Sequence, residues 1–368
     1  MLFSLLLSAS VLLSSGVTPT PEAIATAFPS PSPIEASPTP TTATTPKTRQ
    51  ITDAAGRVVQ IPYVVNRIVD AWPANAGMVL MLGGADKLVG ITQQAHNQPW
   101  LRKLYPRIMN VPVIITASND LNIETLISTH PDVVLMSYAA GLPPWMDKAT
   151  AANIPVVMMP ATTFKDIMTT IRMTGEIIGP SAEAIAEDWL KYYNRNIARI
   201  KAVTESMPME QRLRVLHTLR PSILSVDGIG GLVNDWINNS GGINVAVEIK
   251  GNSGTATMEQ IIKWNPDVII CGTEPNTENA YKIMTDPQWH SIKAVKDKKV
   301  YVNPTGVYLW DRHSGEGALQ ILWAAKVLYP EKFRDVDIKA ETKAFYANFF
   351  HYNLTDSDYD SIMNAKAP

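Results

Sequence analysis

From Ile51 onward, short apolar runs alternate with stretches whose apolar positions recur at helical spacing. The first half holds Ile68-Val69, Leu88-Val89-Gly90-Ile91, Val133-Val134-Leu135-Met136 and Val156-Val157-Met158. The second holds Val215-Leu216, Val268-Ile269-Ile270 and Val300-Tyr301-Val302. Runs that are apolar throughout predict strands covered on both faces, and intervening helices predict parallel pairing. The expected fold class is α/β. Between the halves, Ile185, Trp189, Tyr192, Asn196 and Ile200 fall at helical spacing, and no glycine or proline interrupts the run between Pro180 and Pro208. This predicts one connecting helix over 180–206, of the order of 36 Å long at about 1.5 Å per residue.

One repeat organises the chain. NIETLISTHPDVVL at 122–135 and TMEQIIKWNPDVII at 257–270 each place a glutamate seven residues before Pro-Asp-Val. The prolines, Pro131 and Pro266, stop a helix before an apolar strand begins. One such unit in each half predicts two similar lobes, an N-terminal one over 51–179 and a C-terminal one over 207–368.

The residues before Ile51 read differently. Residues 1–17 open on the apolar run MLFSLLLSASVLL, which is short for a membrane span and fits an export signal or signal-anchor. No cysteine follows it, so a lipid anchor is not expected. Residues 18–50 are rich in Pro, Thr, Ser and Ala, a composition that predicts an extended stalk. An exported protein, periplasmic or held at a cell surface through its N-terminus, is the expectation.

Composition narrows the function. With 32 basic against 34 acidic residues and a net charge of −2, nucleic acid is not an expected partner. The single cysteine, Cys271, excludes an internal disulfide and a four-cysteine cluster. Neither a complete dinucleotide loop, a Walker A sequence nor a nucleophile elbow is present, and no enzymatic activity is expected.

The segments ITDAAGRVVQIPYVVNRIV (51–69), LGGADKLVGI (82–91), NIETLISTHPDVVLMS (122–137), TATMEQIIKWNPDVIICGT (255–273) and DPQWHSIKAVKDKKVYVNP (286–304), in this order, resemble the class III substrate-binding proteins of ABC importers. Those proteins handle ferric siderophores, haem, cobalamin and related metal chelates. The resemblance implies two Rossmann-like lobes with parallel sheets joined by one long helix, and ligand held in the cleft between them. It implies an importer permease with its ATPase as partners, no tightly bound cofactor, and a monomer. It also gives Glu124 and Glu259 a role, docking to arginines of the permease. A first-turn glutamate is equally favoured by the helix dipole.

In open α/β sheets ligands sit beyond the carboxyl ends of the strands. Those ends bring Trp72, His96, Trp100, Tyr138 and Trp145 from the first lobe, and Arg220, Tyr308, Trp310 and Arg312 from the second. Aromatic faces suit flat chelates, and arginine forks suit anionic ones. His96 is the first candidate to ligate metal and His313 the second. No HxH or HxxxH pair exists, so a chelate that brings its own ligands fits better than a bare ion. Iron as a siderophore complex leads; cobalt as cobalamin, haem, and a nickel chelate are the alternatives. A two-lobed enzyme and a surface adhesin or sensor are the readings from other classes.

Overall fold

The computed structural model describes residues 47–118, 120–219, 222–272 and 276–368. The signal and almost all of the stalk lie outside the described residues. The described residues begin with an antiparallel hairpin of β1 (Thr48–Thr52) and β2 (Val58–Pro62). Asp53 closes its turn, accepting from the Ala55 and Arg57 amides at 3.0 and 2.9 Å and from Arg57 Nε at 3.0 Å. Arg49 reaches the carbonyls of Glu176 and Ile177, orphans at a helix end.

The N-terminal lobe is a five-stranded sheet of β3 (Ile68–Asp70), β4 (Leu88–Thr92), β5 (Val113–Ile115), β6 (Val133–Ser137) and β7 (Val156–Met159). Its order is β5-β4-β3-β6-β7 and every pairing is parallel. The C-terminal lobe holds β8 (Arg214–Leu219), β9 (Ser225–Val226), β10 (Ile243–Asn244), β11 (Gly254–Thr255), β12 (Val268–Cys271) and β13 (Val300–Val302). Here β8, β10, β12 and β13 pair in parallel, while β9 and β11 add an antiparallel edge.

The repeat seen in sequence is a repeat of structure. Before β6 and before β12, a residue in the left-handed region (His130 and Asn265, both φ 42°) ends the helix, and Pro-Asp follows. Each aspartate then clamps the start of its lobe's first sheet strand. Asp132 accepts from the Asn66 and Arg67 amides at 2.7 and 2.9 Å, and Asp267 from the Arg214 amide at 2.9 Å. The arginines reciprocate: Arg67 donates to Thr129 and His130 carbonyls, Arg214 to that of Trp264.

The lobes are joined by the helix Pro180–Thr204. Gly179, at φ 126°, makes the turn into it from the helix Phe164–Ile178, a conformation that favours glycine. Gly175 lets the two helices touch: a Cβ there would lie 3.1 Å from the Ala182 carbonyl and from Ala186 Cβ. Trp189 and Tyr193 stack at 5.7 Å, and Tyr193 on Phe164 at 5.1 Å. One hydrophobic cluster runs from Ile51 through this helix to Ile362, with a separate cluster on one side of each sheet. The chain end crosses back to the first lobe. Lys103 pairs with Asp358 at 2.6 Å, and Trp100 Nε1 donates to the Lys366 carbonyl at 3.0 Å.

Candidate functional site

The carboxyl ends of β3, β4, β5 and β6 surround a cavity of about 640 Å³. Trp72, just after β3 and just before the helix Pro73–Met81, forms one wall. Thr92 ends β4 and caps the next helix, its hydroxyl accepting from the Ala95 amide at 3.1 Å. The loop after β5 contributes Thr116 and Asp120, tied through Ser118 at 2.9 and 2.6 Å. Ser137 ends β6, and a Gly-Leu-Pro-Pro loop then leads to Trp145, with Lys148 one turn further on. The lining thus combines two indoles, several hydroxyls and one charge of each sign.

Across the cleft the second lobe presents a buried ionic network. His217, in β8, lies 2.7 Å through Nδ1 from Asp227 Oδ2 and 3.0 Å through Nε2 from Asp311 Oδ2. Arg312 grips Asp227 with both terminal nitrogens at 2.9 Å. Burial alone would push the His217 pKa down, but the two carboxylates outweigh it and the net shift is upward. Asp227 is likewise raised by burial yet held low overall by Arg312 and His217. A charged His217 makes the four groups neutral in sum, which is what a buried site requires. Gly272 is needed here, because a Cβ would lie 1.9 Å from Asp311 Oδ2 and 2.3 Å from His217 Nε2.

The segment carrying Arg312 is pinned by Glu316. Its buried carboxylate accepts from the Val307 and Tyr308 amides at 3.1 and 2.8 Å, from Trp310 Nε1 at 3.0 Å and from the Tyr346 hydroxyl. His313 lies against Trp72, ring centroids 4.5 Å apart, and neither of its nitrogens has a hydrogen-bond partner. Burial pushes its pKa down to about 3, so the ring is neutral.

Of the residues expected from sequence, Trp72 and Trp145 line the cavity, and Tyr138 is exposed between the lining residues Ser137 and Ala139. Tyr308 and Arg312 stand on the opposing loop, but Arg312 is committed to Asp227 and not free for an anionic ligand. Trp100 and Trp310 are core residues, 1% exposed, with their indole N–H groups satisfied by Lys366 and Glu316. His96, the first metal candidate, stands away from the cavity. Its ring nitrogens lie 3.3 Å from Arg102 Nη2 and 3.4 Å from the Met109 carbonyl, outside the cavity lining. His96 and His313 are not brought together, and among the described residues no cluster of three or more His, Cys, Asp or Glu could hold a metal ion. Arg220 lies outside the described residues.

Glu124 and Glu259 are exposed in the first turns of the helices Ile123–Ser128 and Met258–Trp264. The sequence reading missed Thr116 and Asp120 because β5 is only three residues long and gave no strand signal. It missed Asp227 and Glu316 because a buried carboxylate has no local signature.

The molecule is thus two α/β lobes joined by a strut helix, with a cavity at the strand ends of the first. Residues 68–305 match the family described as periplasmic binding protein, and the chain belongs to that family. It is a class III periplasmic binding protein, the substrate-binding component of an ABC importer; the family is one of binding proteins, not enzymes. The chain is 28% identical over 331 residues to the molybdate-binding protein MolA of Haemophilus influenzae, covering 82% of this chain and 91% of MolA. It is 28% identical over 291 residues to YvrC, an ABC transporter substrate-binding lipoprotein of Bacillus subtilis, covering 77% and 87%. A periplasmic solute binding protein from Veillonella parvula superimposes with a TM-score of 0.75 at 29% identity, covering 86% of this chain and 97% of that one. Among the described residues no helix is long and apolar enough to cross a membrane.

Proposed function

We propose that the protein captures a compact anionic metal chelate, with a ferric siderophore as first candidate, and delivers it as an exported monomer to the importer's permease. The cavity carries this reading. Its volume of about 640 Å³ lies in the range of roughly 300–1,000 Å³ usual for small-molecule sites and exceeds what a bare oxyanion fills. Trp72 and Trp145 offer flat walls for a ring or chelate face. Thr92, Thr116 and Ser137 offer hydroxyls, and Lys148 and the start of the helix Pro73–Met81 favour negative charge. His313, neutral and without a hydrogen-bond partner behind Trp72, is the imidazole suited to meet a chelated metal if the indole turns aside. Glu124 and Glu259 are the charged contacts to the permease. A second reading, molybdate itself as cargo, is favoured by the 28% identity to MolA.

Tryptophan-fluorescence titration tests this, with ferric siderophores, haem, cobalamin, nickel–histidine and molybdate, and free Fe(III) and Ni(II) as controls. Saturable quenching by one chelate at one site per chain, diminished in Trp72→Phe, is expected. Saturation by molybdate alone would establish the second reading, and silence across the whole panel would overturn both.

A further inference from the structure

The two repeated helices share more than a glutamate. In Glu124-Thr125-Leu126-Ile127 and Glu259-Gln260-Ile261-Ile262 the third residue is fully buried, so each helix already has its anchor in the core. The fourth is an isoleucine left 45% exposed in one lobe and 46% in the other. Three positions apart on a helix, each isoleucine is a surface neighbour of its glutamate. A single exposed apolar residue needs no explanation. The same residue type, equally exposed, one turn after the same acid in both lobes is a patterned surface.

Topology puts both pairs on corresponding edges. Ile123–Ser128 leads into β6 and Met258–Trp264 into β12, each helix returning over the sheet towards the start of its strand. Each helix therefore begins at the carboxyl edge of its sheet, the edge that carries the cavity and the ionic network; Leu121, in the cavity lining, is three residues before Glu124.

We infer that Ile127 and Ile262 are apolar contacts of the permease interface, each seated beside the charged contact of Glu124 or Glu259. This rests on the docking role proposed for the two glutamates. The acids orient the approach and are screened by salt. The isoleucines supply contact that salt does not screen, and one at each end of the cleft keeps both lobes engaged together.

The test measures the affinity of the full chain for its permease–ATPase complex in lipid nanodiscs. The variants are Ile127→Ser, Ile262→Ser and their combination, together with Glu124→Lys/Glu259→Lys. Met209→Ser is the control, an exposed apolar residue on the opposite edge, before β8. Circular dichroism and thermal melting confirm that each variant is folded. Burying the exposed half of an isoleucine side chain corresponds to roughly a fivefold affinity change. Each single variant is expected to weaken docking about that much, the double by the product, and Met209→Ser not at all. At high salt the glutamate effect should shrink and the isoleucine effect persist. Isoleucine variants that dock like the unaltered protein, while the glutamate reversal weakens docking, would overturn this inference and leave the docking face standing. No effect from any of them would overturn the docking face itself, and an equal loss with Met209→Ser would show the isoleucine effect to be unspecific.

Discussion

Replacing Glu316 with glutamine separates two forces that act on one buried carboxyl. Burial raises its pKa to about 7, against the donors of Tyr346, Tyr308, Trp310 and Val307, which pull it down. An unfolded glutamate titrates near about 4.3. Between those values the folded chain holds a proton that the unfolded chain has lost. The contribution is therefore full below about pH 4.3, falls as pH rises and is gone above about 7. At about 1.4 kcal/mol per pH unit this amounts to roughly 3–4 kcal/mol across the window. His313 runs the other way. Its folded pKa of about 3 lies below the unfolded value of about 6.5, so stability rises with pH between them. From about pH 4.5 to 6.5 the two slopes cancel. Glu316→Gln removes one of them and adds a pH-independent cost of about 1–3 kcal/mol for an acceptor lost opposite the Tyr308 amide. The assay is urea unfolding of the protein and the variant at half-unit steps from pH 4.5 to 7. The free energy of the variant should climb relative to the unaltered protein by about 1.4 kcal/mol per pH unit. Parallel profiles would refute the raised pKa and show that the donors match or outweigh burial, because a lowered carboxyl titrates below the unfolded value and leaves no slope in this window.

Two further perturbations address the ionic network. Gly272→Ala pushes a methyl group into Asp311 and His217, and should lower stability by about 1–3 kcal/mol, the usual range for overpacking; a thermal melt at neutral pH that matches the unaltered protein would remove the close approach. Asp227→Asn leaves Arg312 without its bidentate partner and His217 without one of its two carboxylates. Breaking a buried pair from one side costs about 3–5 kcal/mol, and denaturant unfolding should show a loss of that size; a change under 1 kcal/mol would mean that water already reaches the pair.

The cleft is unequal in its two walls, and the inequality follows from this network. On the second lobe Arg312 is held by Asp227 and is only 17% exposed. On the first lobe Lys148 and the hydroxyls line open space. The cavity is thus lined by the first lobe, and the Trp72–His313 contact joins it to the second. Movement between the walls is restrained at several points. Trp189 Nε1 donates to the Gly315 carbonyl at 2.7 Å and Asn196 Nδ2 to that of Ala318 at 3.1 Å, so the strut grips the very segment that carries His313. The end of the chain adds Lys103–Asp358.

How far this was legible depends on whether a feature is periodic or contextual. The sheet strands at 68–70, 133–137, 156–159, 268–271 and 300–302 and the strut at 180–204 announce themselves, because double-sided burial and helical spacing are written locally. The repeat was legible for the same reason, and the structure adds its cause: Asp132 and Asp267 hold the first strand of each lobe in register. Trp100 and Trp310 show where the reading failed. A tryptophan in a loop at a strand end has the same sequence context whether it faces ligand or core; what decides is a distant partner, the Lys366 carbonyl 266 residues away for Trp100, and nothing near Trp100 encodes it. The surroundings of His96 are likewise contextual, because Arg102 and Met109 reach its ring only after the short helices between them have folded. For a binding protein the wall residues are thus identifiable by position at the strand ends, whereas the choice between wall and core is made by contacts that only the closed chain brings together.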